Sequence, residues 1–370
     1  MVQSMNDPVT AIDRLLEKSN ELNNGPERIG VLEEAVRLAD EHAEINAGFR
    51  ARLELINAAT FGGRPDLLPT AFSWCLAEHD RDPDRLPTTG RRDLLWKYKW
   101  VVGNVVEIPH IPRAQIESML ADMSNRFAEA GSTLHAVHQA RREILTDMGD
   151  LDGARLATAE LAGTKRDWLS DCRACVQDVT AGHLAALERD AEALAEAAPI
   201  LAGRLKCTHV PHRTYAKLLL PLVRLGRVEE AREYHQTGYQ LIGVDPDFLS
   251  AAGQHLEFLA MVGELNEGIE VMQTHLPNAL STTSVYNRMK FYGAVWLLLV
   301  MLFDEGEHTL RLKLPPRFAL FDARGEYETA ALMEWFGREV KTMAAQFDRR
   351  NGNNHYALWF ARRWRLPPRS

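Results

Sequence analysis

Cysteine is scarce. Four Cys in 370 residues cannot build a disulfide-held scaffold, which needs many crosslinks in a short chain. Long apolar runs are missing too. The most apolar stretch, Gly293 to Phe303, has 11 residues and runs directly into Asp304, Glu305 and Glu307. A membrane-crossing helix takes about 20 residues, so this segment is expected as a core helix and no membrane partner is expected. The start, Met1 to Pro8, has neither the basic residues nor the apolar core of a secretory leader, which points to the cytoplasm. Positive charge is in deficit: 43 Lys and Arg against 51 Asp and Glu give a net charge of -8. That excludes a globally basic nucleic-acid coat protein. Extended disorder is excluded by the 46% hydrophobic content.

Catalytic signatures are absent as well. The chain holds no GxSxG, no GxxxxGK[ST], no GxGxxG and no HExxH. Strict apolar–polar alternation bounded by turn residues, the mark of a strand, is not found in any strong stretch.

What is present is helical periodicity. Between Ile29 and Ala43 the apolar residues Val31, Leu32, Ala35, Val36, Leu38 and Ala39 recur every three or four positions, which lays one apolar stripe along a helix. Residues 133–148, 183–198, 212–225 and 228–242 follow the same rule. Breakers separate these stretches, among them Gly62-Gly63, Pro83, Pro109, Gly131, Gly149, Pro199, Pro211, Gly226, Pro246, Gly263 and Pro277. The fold class is all-α, made of short antiparallel helices.

The punctuation repeats. Gly149 is followed five positions on by Ala154, Gly226 by Ala231, and Gly263 by Gly268; Gly182 is followed by the large Leu187. The Gly spacings, 33, 44 and 37, are each one helical hairpin long. A Gly lets the chain turn through a left-handed conformation at the end of a helix. Acidic residues after it favour the positive end of the next helix, and the small residue lets two helices approach. This pattern resembles the tetratricopeptide repeat, a family whose 34-residue unit carries this Gly and this Ala. The family often ends a unit with Pro 17 positions after the Gly, and Pro199 stands 17 after Gly182. The resemblance is clearest over 133–277 and implies a right-handed α-solenoid of about eight antiparallel hairpins.

Three segments are expected along one continuous array: degenerate hairpins over 1–130, tetratricopeptide-like repeats over 131–282, and C-terminal helices with a capping segment over 283–370. Within these, hairpins are expected at 8–42, 44–79 and 91–130. Helices at 284–304 and 326–348 flank the Pro-rich loop Leu314-Pro315-Pro316-Arg317, and a last helix lies near 354–365.

Such a stack implies a groove lined by first helices, and hence a protein or peptide partner. The candidate groove contacts are His138, Arg142, Arg213, Tyr215, Lys217, Asn287, Arg288 and Lys290. A ligand- or peptide-sensing regulator acting through a separate partner is the alternative, and an enzyme on a helical scaffold comes third. No cofactor is implied.

Two clusters raise metal chemistry. Cys172, Cys175, His209 and His212 have ligand types suited to zinc, but Cys172 and Cys175 fall inside a helix expected over Asp167–Thr180, and core packing is the expected use. His135 and His138, with Arg141 and Arg142, share one helix face, expected to be solvated or to meet a partner. The tail from Arg338 to Ser370 carries eight Lys or Arg against Glu339 and Asp348, interleaved with Tyr356, Trp359, Phe360 and Trp364. It is expected to cap the array, with Trp359 or Trp364 facing inward; an intramolecular or dimer contact with the acidic body is the next reading, and nucleic acid is disfavoured.

Overall fold

The computed structural model describes residues 7–86 and 88–363. They form seventeen α-helices and one two-stranded sheet. The chain divides into two compact units. Unit 1 holds the residues up to Arg141 with Ala159–Ser170 and Asp245–Asp247; unit 2 holds Arg142–Thr158, Asp171–Val244 and the residues from Phe248 on.

Unit 1 contains α1 (Pro8–Asn20), α2 (Pro26–Glu41), α3 (Ile45–Phe61), α4 (Leu68–Arg81), α5 (Thr88–Val105) and α6 (Arg113–Glu129). These are the three expected hairpins. Each helix packs on the next, and α3 also meets α1 and α5. Helix α3 is therefore buried on several faces, and Phe49, Ala51, Leu55, Ile56 and Ala58 are all withdrawn from water. Its one buried cation, Arg52, binds both carboxylate oxygens of Asp40 at 2.9 and 2.7 Å and lies 3.9 Å over the Trp74 ring.

Helices α7 (His135–Asp147) and α8 (Leu151–Ala162) are divided between the units. Unit 2 continues with α9 (Arg173–Ala186), α10 (Asp190–Leu201), α11 (His212–Arg224), α12 (Val228–Ile242), α13 (Leu249–Val262), α14 (Leu265–Ser281), α15 (Val285–Asp304), α16 (Thr329–Asn351) and α17 (His355–Arg363). Successive pairs form hairpins, while α9, α11, α13 and α15 also pack side by side. One row of first helices results, backed by the second helices.

The hairpin turns share one geometry. Gly149, Gly226 and Gly263 have φ of +75°, +74° and +85°, as their spacing predicts. The amide of the residue after each donates back to a leucine carbonyl: Asp150 to Leu145, Arg227 to Leu222 and Glu264 to Leu259, all at 2.9 Å. Its own carbonyl then accepts the amide of the small residue four positions on, Ala154, Ala231 or Gly268, at 2.9 to 3.1 Å. One residue thus caps the old helix and starts the new one. Ala154 and Ala231 are wholly buried.

The expectation at Gly182 is corrected. Gly182 lies inside α9, and the expected helix 183–198 breaks at Leu187–Arg189. The left-handed residue is Glu188, with φ of +57°. Arg189 donates to Leu184 at 2.9 Å, and Ala193, five positions after Glu188, is wholly buried. With Glu188 in place of Gly182, the turns recur at 39, 38 and 37 residues. The same bonds reappear in unit 1 at Ala43, φ +54°, where Glu44 donates to Ala39 and Gly48 to Glu44. The tertiary fold imposes this turn even on side chains that resist it.

The Pro-rich loop holds a structure the alternation reading lacked. Strands β1 (Thr309–Arg311) and β2 (Glu326–Glu328) pair antiparallel, with Leu310 opposite Tyr327. Both of those residues face the core and their neighbours face water. The core of this region is aromatic, with Phe318 packed edge-on to Trp335 at 4.8 Å and Tyr292 to Phe336 at 5.0 Å.

Candidate functional site

The polar interior of unit 2 is organised by α9. Ala174, Asp178 and Ala181 lie on one buried face of this helix, four and three residues apart. The Asp178 carboxylate accepts the Thr214 hydroxyl at 2.7 Å and the Lys217 ammonium at 2.5 Å, both from α11. At the far end of α11, Arg224 pairs with Asp190 at the start of α10. Two ion pairs therefore join successive hairpins.

The opposite neighbour of α9 is the end of α7. There Arg142 donates to the Thr180 hydroxyl at 3.1 Å, and the Thr146 hydroxyl meets His183 Nδ1 at 2.8 Å. Arg142 is 2% exposed, and its Nε has no hydrogen-bond partner. Burial pulls its pKa down, against the pull of Glu143 and Glu196. Burial, followed by Arg142 and Arg189, pushes His183 down to about 4.

Asp147 closes α7. Its carboxylate accepts the Tyr286 hydroxyl at 3.1 Å, and its carbonyl accepts the Tyr356 hydroxyl. Burial raises the Asp147 pKa; Lys290, the Tyr286 hydrogen bond, Lys217 and Arg350 oppose it. Next to it, the Met148 carbonyl takes hydrogen bonds from Asn351 at 3.1 Å and Asn353 at 2.7 Å. A Cβ on Gly149 would come within 2.3 Å of the His355 ring. The Asp348 carboxylate starts α17 by accepting the amides of Tyr356 and Ala357 at 2.9 and 3.0 Å. The tail thus docks on α16 and also reaches back to the end of α7, beyond the preceding hairpin expected for it. Tyr356 and Phe360 are buried, Trp359 packs partly against the core, and Trp364 lies outside the described residues.

The eight candidate contacts fall into different surroundings. Lys217 is paired with Asp178. Lys290 lies 3.9 Å over the Trp359 ring of α17. Arg288 donates to the carbonyls of Ala279 and Thr282, and Tyr215 packs edge-on to Tyr234 at 5.4 Å. Arg213 stands 5.8 Å over Phe248. The Asn287 amide donates to Ser284, the N-cap of α15. In unit 1, His138 Nδ1 meets Glu160 at 3.1 Å. A solvated face does not describe His135 or Arg142, which are 5% and 2% exposed.

Sequence reading missed Asp147, Asp178 and His183 as organising residues. A signal existed for Asp178, a lone acid between Ala174 and Ala181 on an otherwise small, apolar face. It also missed a buried imidazole chain. His235 Nδ1 lies 3.0 Å from His255 Nδ1, His235 Nε2 meets Glu267 at 2.9 Å, and Tyr239 reaches His275 at 3.3 Å. Burial drives His255 well below its usual range, helped by His235 and His275, and burial brings His275 to about 4. Burial therefore favours the neutral forms of His255 and His275.

The cysteine expectation needs a correction in geometry. Cys172 lies outside the helix, as the N-cap of α9. Its Sγ is 3.4 Å from Cys175 Sγ and accepts the Cys175 amide at 3.4 Å. Burial raises its pKa, but the Cys175 amide, the neighbouring thiols and the Ala174 amide outweigh it and leave the thiol below its ordinary value. Burial and Cys172 raise Cys175. His209 and His212 pack on Phe248 instead, at ring distances of 5.9 and 5.4 Å. Compared with known proteins, the chain matches no protein-family model and no curated protein.

Proposed function

We propose that the protein is a non-catalytic binding scaffold of the tetratricopeptide type, working in the cytoplasm and taking a protein or peptide partner on its first helices. The observation that carries this reading is the recurrence of one hairpin turn every 37 to 39 residues, with α9, α11, α13 and α15 packed side by side. The half-buried side chains of such a row share one surface, which suits an extended partner. Arg213, Tyr215 and Asn287 are half-buried on α11 and α15 and are the contacts to test first.

The experiment is affinity capture from the native host followed by mass spectrometry, with two sets of variants. Arg213→Glu with Asn287→Arg alters first helices. Glu229→Arg with Glu270→Arg alters α12 and α14 by a larger change of charge. The first set is expected to lose the captured partner while keeping the thermal melt, and the second to retain both. A partner lost equally from both sets, or from neither, sinks the reading.

A further inference from the structure

We propose that Cys172, Cys175 and Cys207 form a three-thiolate site for a soft divalent cation, zinc foremost. The three sulfurs all lie within 4.8 Å of one another. A tetrahedral zinc ion bound at about 2.3 Å by each sulfur sets its ligands about 3.8 Å apart. The 3.4 Å Cys172–Cys175 separation and the 4.8 Å limit on the group bracket that value.

The ligands arrive from two structured places. Cys172 caps α9 and Cys175 sits in its first turn, so the CxxC spacing brings both sulfurs to one end of the helix. Cys207 comes from the segment between α10 and α11. There its amide donates to the Val210 carbonyl at 3.0 Å, and the Val210 amide donates back at 3.2 Å. That closed turn fixes the third sulfur independently of the first two. Val210 is buried with Ala174 and Ile200, and Cys175 packs on them, so the turn is anchored to α9 and α10. A bare dithiol would need only Cys172 and Cys175; the third convergent sulfur is what a metal uses.

Thiolates favour zinc and its soft neighbours over magnesium or calcium. Three protein ligands leave one tetrahedral position for water or an exogenous donor. Cys172 and Cys207 are exposed, so that position is within reach of solvent. Binding displaces the thiol protons and ties the start of α9 to the approach to α11, which couples the ion to the stability of this hairpin. The proposal stands apart from the binding reading above, because it uses none of the same residues.

The test is a cobalt titration of the reduced, metal-free full chain under anaerobic conditions. About one equivalent of cobalt is expected to bind, with the absorption of a tetrahedral sulfur-ligated ion, and zinc should displace it. Cys207→Ser should weaken cobalt binding by more than an order of magnitude, while Cys75→Ala should leave it unchanged. Should Cys207→Ser fail to fold, alkylation of the wild type decides: zinc should protect Cys172, Cys175 and Cys207 together, as mapped by mass spectrometry. A reduced chain that binds no cobalt overturns the proposal. So does binding indifferent to Cys207→Ser, or a folding failure of that variant combined with alkylation that zinc does not slow. A Cys172–Cys175 disulfide in the purified protein, with no cobalt bound after reduction, identifies a redox pair and overturns it too.

Discussion

Helix α9 serves a half-buried cation and a buried one in opposite ways. Toward α11 it offers the Asp178 carboxylate to Lys217; toward α7 it offers only the Thr180 hydroxyl to Arg142. The first cation is hydrogen-bonded to its counter-charge, whereas the second bonds a neutral hydroxyl and feels Glu143 and Glu196 only through their field. A buried pair broken on one side is expensive, whereas replacing a buried charge by an apolar side chain of similar volume is often neutral or favourable. The comparison separates a charge that holds hairpins together from one that the fold tolerates.

The largest effect is expected at the paired side. Asp178→Ala strands the half-buried Lys217 ammonium and the buried Thr214 hydroxyl and should cost about 1–3 kcal/mol, read from the urea midpoint. Lys217→Met in the same background should recover part of it. Acid comes next. His183 has its folded-state pKa depressed to about 4 from an ordinary value near 6.5. The unfolded chain therefore takes up the proton first: stability is complete above about pH 6.5 and falls as the pH drops toward 4. His255 and His275 act in the same direction. An NMR titration of His183 checks the assignment, since Arg142→Met should move its midpoint upward. Glu188→Gly relieves a non-glycine residue of a left-handed conformation and should stabilise by about 1 kcal/mol. The smallest change is expected from Arg142→Met, within about 1 kcal/mol of wild type or slightly stabilising. A loss as large as that of Asp178→Ala would erase the distinction between the two cations.

The sequence made the architecture legible wherever residue type and geometry coincide. Gly149, Gly226 and Gly263 turn, and Ala154 and Ala231 are buried beneath them. Legibility failed at Glu188, because a left-handed glutamate has no compositional mark and nearby Gly182 offered a false one. Cys172 was misplaced because α9 starts at Arg173 rather than near Asp167, which leaves Cys172 as its N-cap. Strands β1 and β2 are three residues each, too short for alternation to register. The site was less legible than the fold. Polar residues such as Asp147, Asp178 and His183 acquire meaning only when α7, α9, α11 and α15 meet, and that information lies in packing rather than in local pattern.

The bond between Met148 and Asn351 spans 203 positions of chain. Repeat arrays generally assemble from neighbour to neighbour, and each hairpin can melt by itself. A clasp of this reach changes the kinetics. Ribosomal synthesis delivers Asn351, Asn353 and Tyr356 long after α7 and α9 have emerged, so the early hairpins of unit 2 wait for a partner made almost last. Closing so long a loop slows the final folding step. Once closed, it ties the fate of the first hairpin to that of the last, and unit 2 should melt as one cooperative body rather than fray repeat by repeat.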